Sequence, residues 1–176
     1  AAAGARVVQT PVLGMDLDLV ALAARARSEG ANVVWVCNPN NPTGSLVEPA
    51  AWSAFLADLP PGCVVVADEA YMDFADPAAR ADRLRDVAEG RPVIVIRSFS
   101  KSFGLAGLRL GIGIADPAVA RLLDVVQEPF NVNRVALAAG RAAVETPGLA
   151  DRRRADVAQA RDVLARELEA AGLEVV

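Results

Sequence analysis

One stretch of the chain decides its fold: VIVIRSFSKSFGLAGLRLG, which runs from residue 93 to residue 111. It begins with a short apolar run, residues 93–97, which predicts a buried strand. A polar loop follows at once and contains Ser98, Ser100, Lys101 and Arg109. Ligands of open sheets built from alternating strands and helices bind just beyond the carboxyl ends of the strands. The stretch therefore predicts a strand of such a sheet and a ligand site beside it.

Two further apolar runs lead into polar loops in the same way. Val33–Cys37 precedes the loop NPNNPTG (38–44), and residues 63–67 precede the loop DEAY (68–71). Apolar strands separated by helical patterns are typical of a mostly parallel sheet with helices on both faces. We therefore expect an α/β fold in which the three loops meet at one edge of the sheet.

The other elements follow from hydrophobic periodicity, capping residues and helix breakers. Asp16 is expected to cap the first helix at its N-terminus, and Gly30 is expected to end it. The predicted helices are 17–28, 49–59, 81–88, Pro117–Val126, Arg134–Glu145 and a long one at 147–171, and the remaining predicted strands are 6–10, 111–115 and a truncated one at 173–176.

Composition and charge argue against several classes of function. The chain is 53% hydrophobic, which is not typical of a disordered segment, and its net charge is −4. No basic block stands out beyond the arginines at 152–154, so we expect no nucleic-acid partner. No apolar stretch approaches the roughly 20 residues that span a bilayer. Cys37 and Cys63 lie in apolar runs and predict buried, reduced thiols, which favours a cytoplasmic protein.

The chain contains no histidine. A Ser-His-Asp catalytic triad is therefore impossible, and a metal site would lack its commonest ligand, so no metal is predicted. Acid–base chemistry must come from lysine, aspartate, glutamate, tyrosine or cysteine side chains, or from a bound cofactor.

The polar residues of the three loops suit one kind of small molecule. The amine of Lys101 can form a Schiff base with an aldehyde. The carboxylate of Asp68 can hold a pyridine nitrogen in its protonated form, because opposite charges favour the ionised state of both groups. Asn41 and Tyr71 can form hydrogen bonds with a phenolic oxygen.

A phosphate would find its partners in the third loop. Ser98 and Ser100 offer hydroxyls, and Arg109 offers a guanidinium, a group well suited to phosphate oxygens. An aldehyde, a pyridine nitrogen, a phenolic oxygen and a phosphate occur together in pyridoxal 5'-phosphate (PLP). The residues therefore predict a PLP site.

Each of these features has an ordinary explanation when it is taken alone. Asn-Pro-Thr-Gly is usually a turn, Asp68 and Glu69 more often cap a helix or face solvent, and a single lysine such as Lys101 is most often a surface residue. Arg109 could form a surface ion pair. The glycines after Lys101 do not form the G-x-G-x-x-G fingerprint, which argues against a nucleotide-binding domain. The combination and the order of the features favour the PLP site.

In this order, NPNNPTG, DEAY and SFSKSFGLAGLRLG resemble the motifs of the class I and II aminotransferases of PLP fold type I. The segment PFNVN at 129–133, which follows LAGLRLG, resembles the histidinol-phosphate branch of that family. The resemblance covers nearly the whole chain. It implies a homodimer that transfers an amino group, by a ping-pong mechanism, between an amino acid or histidinol phosphate and a 2-oxo acid.

The resemblance also implies a role for each residue of the site. Lys101 would carry PLP as a Schiff base and move the proton of the substrate Cα, Asp68 would pair with the pyridine nitrogen, and Tyr71 would bind the phenolic oxygen. The Asn41–Pro42 bond is often cis in this family, and we predict a cis bond here. The implied catalytic residues are Lys101, Asp68 and Tyr71, and the implied cofactor-binding residues are Asn41, Asp68, Tyr71, Ser98, Ser100, Lys101 and Arg109.

The resemblance further predicts two domains. Residues 1–146 would form part of the large PLP-binding domain, and residues 147–176 would form the linking helix and the truncated start of the small domain. The chain begins without a methionine and closes inside a predicted strand, so we expect a piece of a longer protein. Two alternatives stay open: a threonine-phosphate decarboxylase, because Met72-Asp73-Phe74 after Asp-Glu-Ala-Tyr also occurs in sequences similar to it, and a non-catalytic fragment.

Overall fold

A four-stranded sheet forms the centre of the chain. The computed structural model describes residues 4–175, and its strands are β1 (Val33–Cys37), β2 (Val64–Asp68), β3 (Val93–Ser98) and β4 (Gly111–Ile114). They lie in the order β1-β2-β3-β4, with β1, β2 and β3 parallel and β4 antiparallel to β3. The mostly parallel α/β sheet predicted from the sequence is confirmed.

Helices alternate with the strands and then continue beyond them. In chain order they are α1 (Leu19–Glu29), α2 (Pro49–Ala57), α3 (Arg83–Ala88), α4 (Pro117–Val126), α5 (Arg134–Glu145) and the long α6 (Leu149–Ala170), with short 3-10 turns at Met72–Phe74, Pro77–Ala79 and Ala106–Leu108. Helices α4 and α5 have the predicted bounds. Within residues 4–175, no helix combines the length and the apolar character that crossing a membrane requires.

The main core lies on one face of the sheet. Side chains alternate between the two faces of a strand, and every second residue of β1, β2 and β3 packs against α1 and α2 on what we call the covered face. Complete burial of a large apolar side chain stabilises the fold by roughly 1.5–3 kcal/mol. The cluster comprises Val34, Val36, Val65, Ala67, Val93 and Val95 from the sheet, Leu19, Ala23 and Ala26 from α1, Trp52 and Phe55 from α2, and Val47 and Cys63 from the connecting segments.

The opposite face, which we call the open face, is less enclosed within the described residues. Val33 and Trp35 of β1 point to it and are 58% and 57% exposed. By the same alternation, Asp68 at the end of β2 and Ser98 at the end of β3 also lie on the open face. Two of the predicted cofactor ligands are therefore on the side of the sheet that a ligand can reach.

A second core cluster anchors the loop that follows β3. Phe99 and Leu110, near the two ends of the loop, pack against Ala136 and Ala143 of α5. The helix approaches so closely that a Cβ atom at Gly140 would lie 2.3 Å from Cδ2 of Leu110. The N–H of Phe99 also donates a hydrogen bond of 3.1 Å to the carbonyl of Leu110. The loop that carries Lys101 is thus closed at its base.

The first helix begins later than predicted. Its N-cap is Asp18, whose Oδ1 accepts a hydrogen bond of 2.8 Å from the N–H of Ala21, and the prediction of Asp16 was wrong. Asp16 instead pairs through its backbone with Leu13 in a tight turn, which removes it from the helix end. The predicted end at Gly30 is confirmed, because Gly30 adopts the left-handed conformation (φ 61°) that closes helices.

Two predicted strands are not strands in the described chain. Residues 6–10 are irregular, and Arg6 instead donates a hydrogen bond of 2.7 Å to Oε2 of Glu29. Residues 173–175 are also irregular, and Val176 lies outside the described residues. An apolar pattern predicts strand character, but a strand forms only where a neighbouring strand accepts its hydrogen bonds.

Two helices are shorter than predicted at their N-terminal ends. Helix α3 starts at Arg83, because the Asp82 carboxylate caps it by accepting a hydrogen bond from the N–H of Arg85. Helix α6 starts at Leu149 because Gly148 has a left-handed backbone conformation (φ 66°) that cannot belong to a helix. A proline near a helix start locates that start to within one turn, whereas the cap residue determines which residue is the first of the helix.

The two cysteines are unpaired, as expected. Cys63 is buried beside the start of β2, and Cys37 is half-buried at the end of β1. Burial raises the pKa of the Cys63 thiol, which favours its protonated and less reactive form.

Candidate active site

The three loops that follow β1, β2 and β3 lie at one edge of the sheet. Cys37 stands beside Asp68, and Asp68 stands beside Ile96, so the parallel strands end together. The pairing extends one residue further, since the N–H of Asn38 donates to the carbonyl of Asp68 (2.9 Å) and that of Glu69 donates to Ile96 (2.8 Å). The predicted convergence of the loops is confirmed.

One residue from each loop meets at the centre of this edge. Nδ2 of Asn41 donates a hydrogen bond of 3.1 Å to the phenolic oxygen of Tyr71. Nζ of Lys101 lies 4.9 Å from the centroid of the Tyr71 ring, within the range of a cation–π contact. Asn41 and Lys101 are exposed, and Tyr71 is half-buried between them. An amine, a phenol and a carboxamide therefore face the same volume of solvent.

The Asn41 loop is held by its own side chains. The Asn41–Pro42 peptide bond is cis, as predicted, and the Asn38–Pro39 bond is also cis, which was not predicted. Oδ1 of Asn38, which is 1% exposed, accepts a hydrogen bond of 2.7 Å from the N–H of Val47. Asn38 thereby joins the two ends of the loop and fixes the direction in which Asn41 leaves the sheet.

Asp68 occupies the end of β2, at the base of the site. It is half-buried on the open face, and its Oδ1 accepts a hydrogen bond of 3.1 Å from the N–H of Ala70. This bond shapes the turn between Asp68 and Tyr71, so the position of the tyrosine depends in part on the aspartate. A carboxylate with one oxygen engaged in this way still has lone pairs for a ligand.

The residues predicted to bind phosphate also lie together. Oγ of Ser98 accepts a hydrogen bond of 3.0 Å from the N–H of Ser100, and Nη1 of Arg109 approaches Oγ of Ser100 at 3.5 Å. Arg109 also donates from Nη1 to the carbonyl of Ala106 (2.9 Å). Its φ of 52° is left-handed, a conformation that costs a non-glycine residue energy and that is common at ligand sites.

The family that these features suggest is matched by direct comparison. The family model "Aminotransferase class I and II" matches residues 1–176. The chain belongs to the class I and II aminotransferases. Its sequence is 42% identical over 174 residues to histidinol-phosphate aminotransferase of Moorella thermoacetica, covering 98% of the chain and 45% of that protein. It is 39% identical over 173 residues to aromatic amino acid aminotransferase of Mycobacterium marinum, covering 98% of the chain and 48% of that protein.

Solved structures of related proteins match the fold of the chain. A histidinol-phosphate aminotransferase from Sinorhizobium meliloti in complex with PLP matches with a TM-score of 0.89 and 32% identity, covering 96% of the chain and 45% of that protein. An L-threonine-O-3-phosphate decarboxylase from Porphyromonas gingivalis matches with a TM-score of 0.60 and 29% identity, over 67% of the chain and 35% of that protein. The chain spans about half the length of the curated relatives it matches.

Sequence reasoning missed a buried cluster of charges behind the site of this aminotransferase chain. Glu69 is 3% exposed and binds two arginines, through Oε1 to Nη1 of Arg83 (3.3 Å) and through Oε2 to Nε (3.0 Å) and Nη2 (2.9 Å) of Arg97. Arg83 lies 4.3 Å above the ring of Trp52, which donates from Nε1 to Oδ2 of Asp86 (2.7 Å). Burial lowers the pKa of Arg83, and the Glu69 carboxylate opposes that shift. No local pattern indicates this cluster, because its members come from four separate elements.

A signal that could have strengthened the assignment of Lys101 was present in the composition. Lys101 is the only lysine among the 18 basic residues of the chain, and Tyr71 is its only tyrosine. Every other basic side chain of this sequence is an arginine, so the one lysine is not needed simply as a positive charge on the surface. The single lysine and the single tyrosine also lie next to each other in the fold.

Proposed function

We propose that the chain is the cofactor-binding part of a PLP-dependent aminotransferase. The protein would transfer an amino group between an amino acid or histidinol phosphate and a 2-oxo acid, through a Schiff base at Lys101. The observation that carries the proposal is the meeting of Lys101, Tyr71 and Asn41 from three different loops. Membership of the family and the PLP complex of the Sinorhizobium meliloti relative support it.

The residues at the edge of the sheet fit PLP by the chemistry of their donors and acceptors. When bound, PLP supplies an aldehyde that condenses with amines and a pyridine ring that withdraws electrons. Lys101 is the amine for the aldehyde, and the Asp68 carboxylate is the partner for the ring nitrogen. Asn41 and Tyr71 already share a hydrogen bond, and together they offer donors to the phenolic oxygen.

The phosphate would lie against the loop after β3. Ser98 and Ser100 offer hydroxyls there, and Arg109 offers the positive charge. The guanidinium is exposed, and it carries N–H groups besides the one that donates to Ala106, so it can also bind a phosphate. Charge-assisted hydrogen bonds of this kind are about twice as strong as neutral ones, and they would orient the cofactor.

Lys101 would also act as the acid–base group of the reaction. Its amine would accept the proton from the substrate Cα and hold it as an ammonium group. The chain has no histidine, and the cation–π contact places the amine of Lys101 at the centre of the site. Asp68 and Tyr71 would assist by stabilising charge on the cofactor.

The amino donor belongs to the proposal as well. Histidinol phosphate is the first donor to test, because several relatives at 42–46% identity are named histidinol-phosphate aminotransferases, and it would place the protein in histidine biosynthesis. Aromatic amino acids are the second class of donor to test, because two mycobacterial relatives are named aromatic amino acid aminotransferases. Threonine phosphate is the third, after the decarboxylase of similar fold. Decarboxylation would release carbon dioxide, whereas transamination would release a carbonyl compound.

The organisation of the whole protein is proposed on the same basis. Residues 1–146 would form part of the large PLP-binding domain, and residues 147–176 the linking helix and the start of the small domain. A homodimer in the cytoplasm is the assembly we propose. Exposed apolar side chains on and after α4 support association, since Leu122, Val125 and Val126 are each at least 70% exposed and Phe130 is fully exposed.

The test of the proposal is covalent trapping of the cofactor. PLP is added to the purified chain, the complex is reduced with borohydride, and the modified peptide is mapped by mass spectrometry. Because Lys101 is the only lysine, the N-terminal amine is the one other target, and it serves as the internal reference. We expect selective modification of Lys101 and its loss in Lys101→Ala. Equal modification of the two amines in the wild-type chain would contradict the proposal.

The activity is tested separately from the binding site. Each of the three donors is incubated with 2-oxoglutarate and the PLP-loaded protein, which has not been reduced with borohydride. Glutamate and carbon dioxide are then measured. Glutamate formation that is lost in Lys101→Ala supports the aminotransferase, and carbon dioxide without glutamate supports the decarboxylase. Trapping of PLP without either product would mean that this chain binds the cofactor but is not catalytic by itself.

A further inference from the structure

The loop that carries Lys101 is joined to the loop that carries Tyr71 by a side-chain pair with no part in the proposed cofactor contacts. Oγ of Ser102 donates a hydrogen bond to Oδ2 of Asp73. Ser102 follows Lys101 directly, and Asp73 lies two residues beyond Tyr71. The bond therefore links the two loops beside the very residues whose side chains meet.

Burial makes this link persistent. Ser102 is 1% exposed, and Asp73 is half-buried. A buried hydroxyl needs a partner, because losing one costs the full desolvation of the group. Hydrogen bonds to an ionised carboxylate are also among the stronger ones in proteins. Water has no easy access to Ser102 and cannot readily replace Asp73 as its acceptor.

The Asp73 end of the link is anchored to the rest of the fold. Arg80 donates from Nη2 to the carbonyls of Asp73 (3.1 Å) and Ala75 (2.7 Å), and so clamps the 3-10 turn. Met72, in the same turn, is 1% exposed, and the turn contacts helix α6. Asp73 is thus a fixed point to which the lysine loop can be tied.

The lysine end needs such a tie. Lys101 is exposed, and its four-carbon stem gives it many rotamers, so ordering its amine costs conformational entropy. The backbone around it is a turn closed by the N–H of Gly104, which donates to the carbonyl of Lys101 (3.0 Å). Within the turn, Lys101 is exposed and its neighbour Ser102 is buried. Where Ser102 is held, the starting direction of the Lys101 side chain is also held.

We propose that the Asp73–Ser102 hydrogen bond is a positioning device that holds the amine of Lys101 over the ring of Tyr71. Asp73 and Ser102 are positioning residues, since they act through Lys101 and Tyr71 and have no assigned contact with PLP. The proposal rests on the proposed function, because the placement matters only if Lys101 is the residue that carries the cofactor. The arrangement itself, however, can be measured without any cofactor.

The composition of the chain makes that measurement direct. Reductive methylation of the 176-residue chain with ¹³C-formaldehyde labels Lys101, its only lysine, and the N-terminal amine. The ring of Tyr71 lies under the Lys101 amine, so its ring current shifts the methyl signals of Lys101 upfield. The reference is the same signal in the chain unfolded by urea. An upfield shift of the folded signal, absent from Tyr71→Leu, reports the Lys101–Tyr71 contact.

Three variants test the link, and one serves as a matched control. Ser102→Ala and Asp73→Ala remove the hydrogen bond, and the Lys101 signal should move to the position seen in the unfolded chain. Asp73→Asn keeps an acceptor oxygen and should retain most of the upfield shift. Ser53→Ala removes a serine hydrogen bond (to the carbonyl of Pro49, 3.0 Å) far from the site and should leave the signal unchanged. Circular dichroism establishes that each variant is folded.

The rate of PLP trapping at Lys101 provides the functional readout. We expect it to fall about tenfold in Ser102→Ala and in Asp73→Ala, with little further loss in the double variant, because one hydrogen bond is broken in each case. An unchanged Lys101 signal in a folded Ser102→Ala chain would overturn the positioning role, and so would an unchanged signal in Asp73→Ala if Ser102→Ala does not fold. If the signal responds as expected but the wild-type chain does not trap PLP at Lys101, the positioning stands and the proposed function fails.

Discussion

Asp68 and Glu69 are neighbours in the chain, yet the geometry of β2 sends them to opposite faces of the sheet. Asp68 is half-buried on the open face, as is Ser98 of β3. Glu69 is 3% exposed on the covered side, where Arg83 and Arg97 bind it. Because Arg97 directly precedes Ser98, the same separation is repeated on β3. Alternation at the strand ends therefore separates the residues that a ligand can reach from the charges that hold the edge together.

The two faces place different demands on a charged group. On the covered side, removing one member of a buried ion pair leaves the other charge buried without a partner, and the resulting loss of folding stability is large. On the open side, water satisfies an unpaired charge, so a substitution changes binding or chemistry with little effect on folding. Substitutions on the open, functional face should therefore change binding or chemistry, and substitutions on the covered, structural face should change stability.

The largest effect is expected at Lys101. Lys101→Arg keeps the positive charge but replaces the amine with a guanidinium, which does not serve as the amine in a Schiff base. Trapping of PLP at this position should be lost completely. Because the side chain is exposed, the free energy of unfolding should change by no more than about 0.5 kcal/mol, as measured by urea denaturation. A large loss of stability would mean that Lys101 has a structural role, which would contradict the division between the two faces.

The next effect is expected at Glu69. Glu69→Ala leaves Arg83 and Arg97 without their shared carboxylate, and we expect a loss of about 3–5 kcal/mol in the free energy of unfolding. Arg83 already has Nε and Nη2 buried without a hydrogen-bond partner, so it has no alternative acceptor at hand. The measurement is urea unfolding followed by tryptophan fluorescence.

A matched control for Glu69 exists at the end of α1. Glu29 also binds two arginines, Arg6 at 2.7 Å and Arg25 at 3.0 Å, but both of these arginines are exposed. Glu29→Ala should leave the unfolding midpoint nearly unchanged, because water replaces the lost partner. Equal destabilisation by the two substitutions would mean that burial is not what separates the two glutamates.

A smaller effect, on binding alone, is expected at Asp68. Asp68→Asn removes the charge that would pair with the ring nitrogen of PLP, and the affinity for PLP should fall about 10- to 100-fold. The amide oxygen can still accept from the N–H of Ala70, so the fold should be retained. Absorbance titration with PLP measures the affinity, and Asp76→Asn, at an exposed turn, is the control. Unchanged affinity for PLP would mean that the charge of Asp68 does not contribute to binding the cofactor.

The smallest effect is a dependence on pH at Glu29. The hydrogen bond from Arg6, followed by the charge of Arg25, lowers the pKa of Glu29 below its ordinary value of 4.5. A carboxylate with a lowered pKa in the folded state contributes stability above its unfolded pKa and loses it as the pH falls through the folded pKa. The small difference in Tm between wild type and Glu29→Gln should therefore be present at neutral pH and vanish in acid. A Tm difference that grows in acid would contradict a lowered pKa of Glu29 in the folded state.

Local patterns were sufficient for the four strands of the sheet, for the helices with clear caps and for the three loops of the site. Val33–Cys37, Pro117–Val126 and Arg134–Glu145 were predicted with their observed bounds, because apolar runs and breakers define them locally. Residues 6–10 were predicted wrongly as a strand because a strand also needs a neighbour, which local sequence does not report. Asp16 was predicted as the N-cap of α1, but Asp18 caps it; both are aspartates, and only the turn between Asp16 and Leu13 distinguishes them.

The sequence by itself determined which chemistry the chain can support. The PLP site is indicated by residue type and by order along the chain, with Asn41, Asp68, Tyr71 and Lys101 each in its motif, and this indication needs no knowledge of the fold. The tertiary structure decided how those groups are held. The bonds of Glu69 to Arg83 and Arg97 and the Asp73–Ser102 bond join residues 14 to 29 positions apart, and such contacts form only when the sheet brings separate loops to one edge. Hydrogen bonds and burial depend on position in space, and the spacing of residues along the chain does not contain that information.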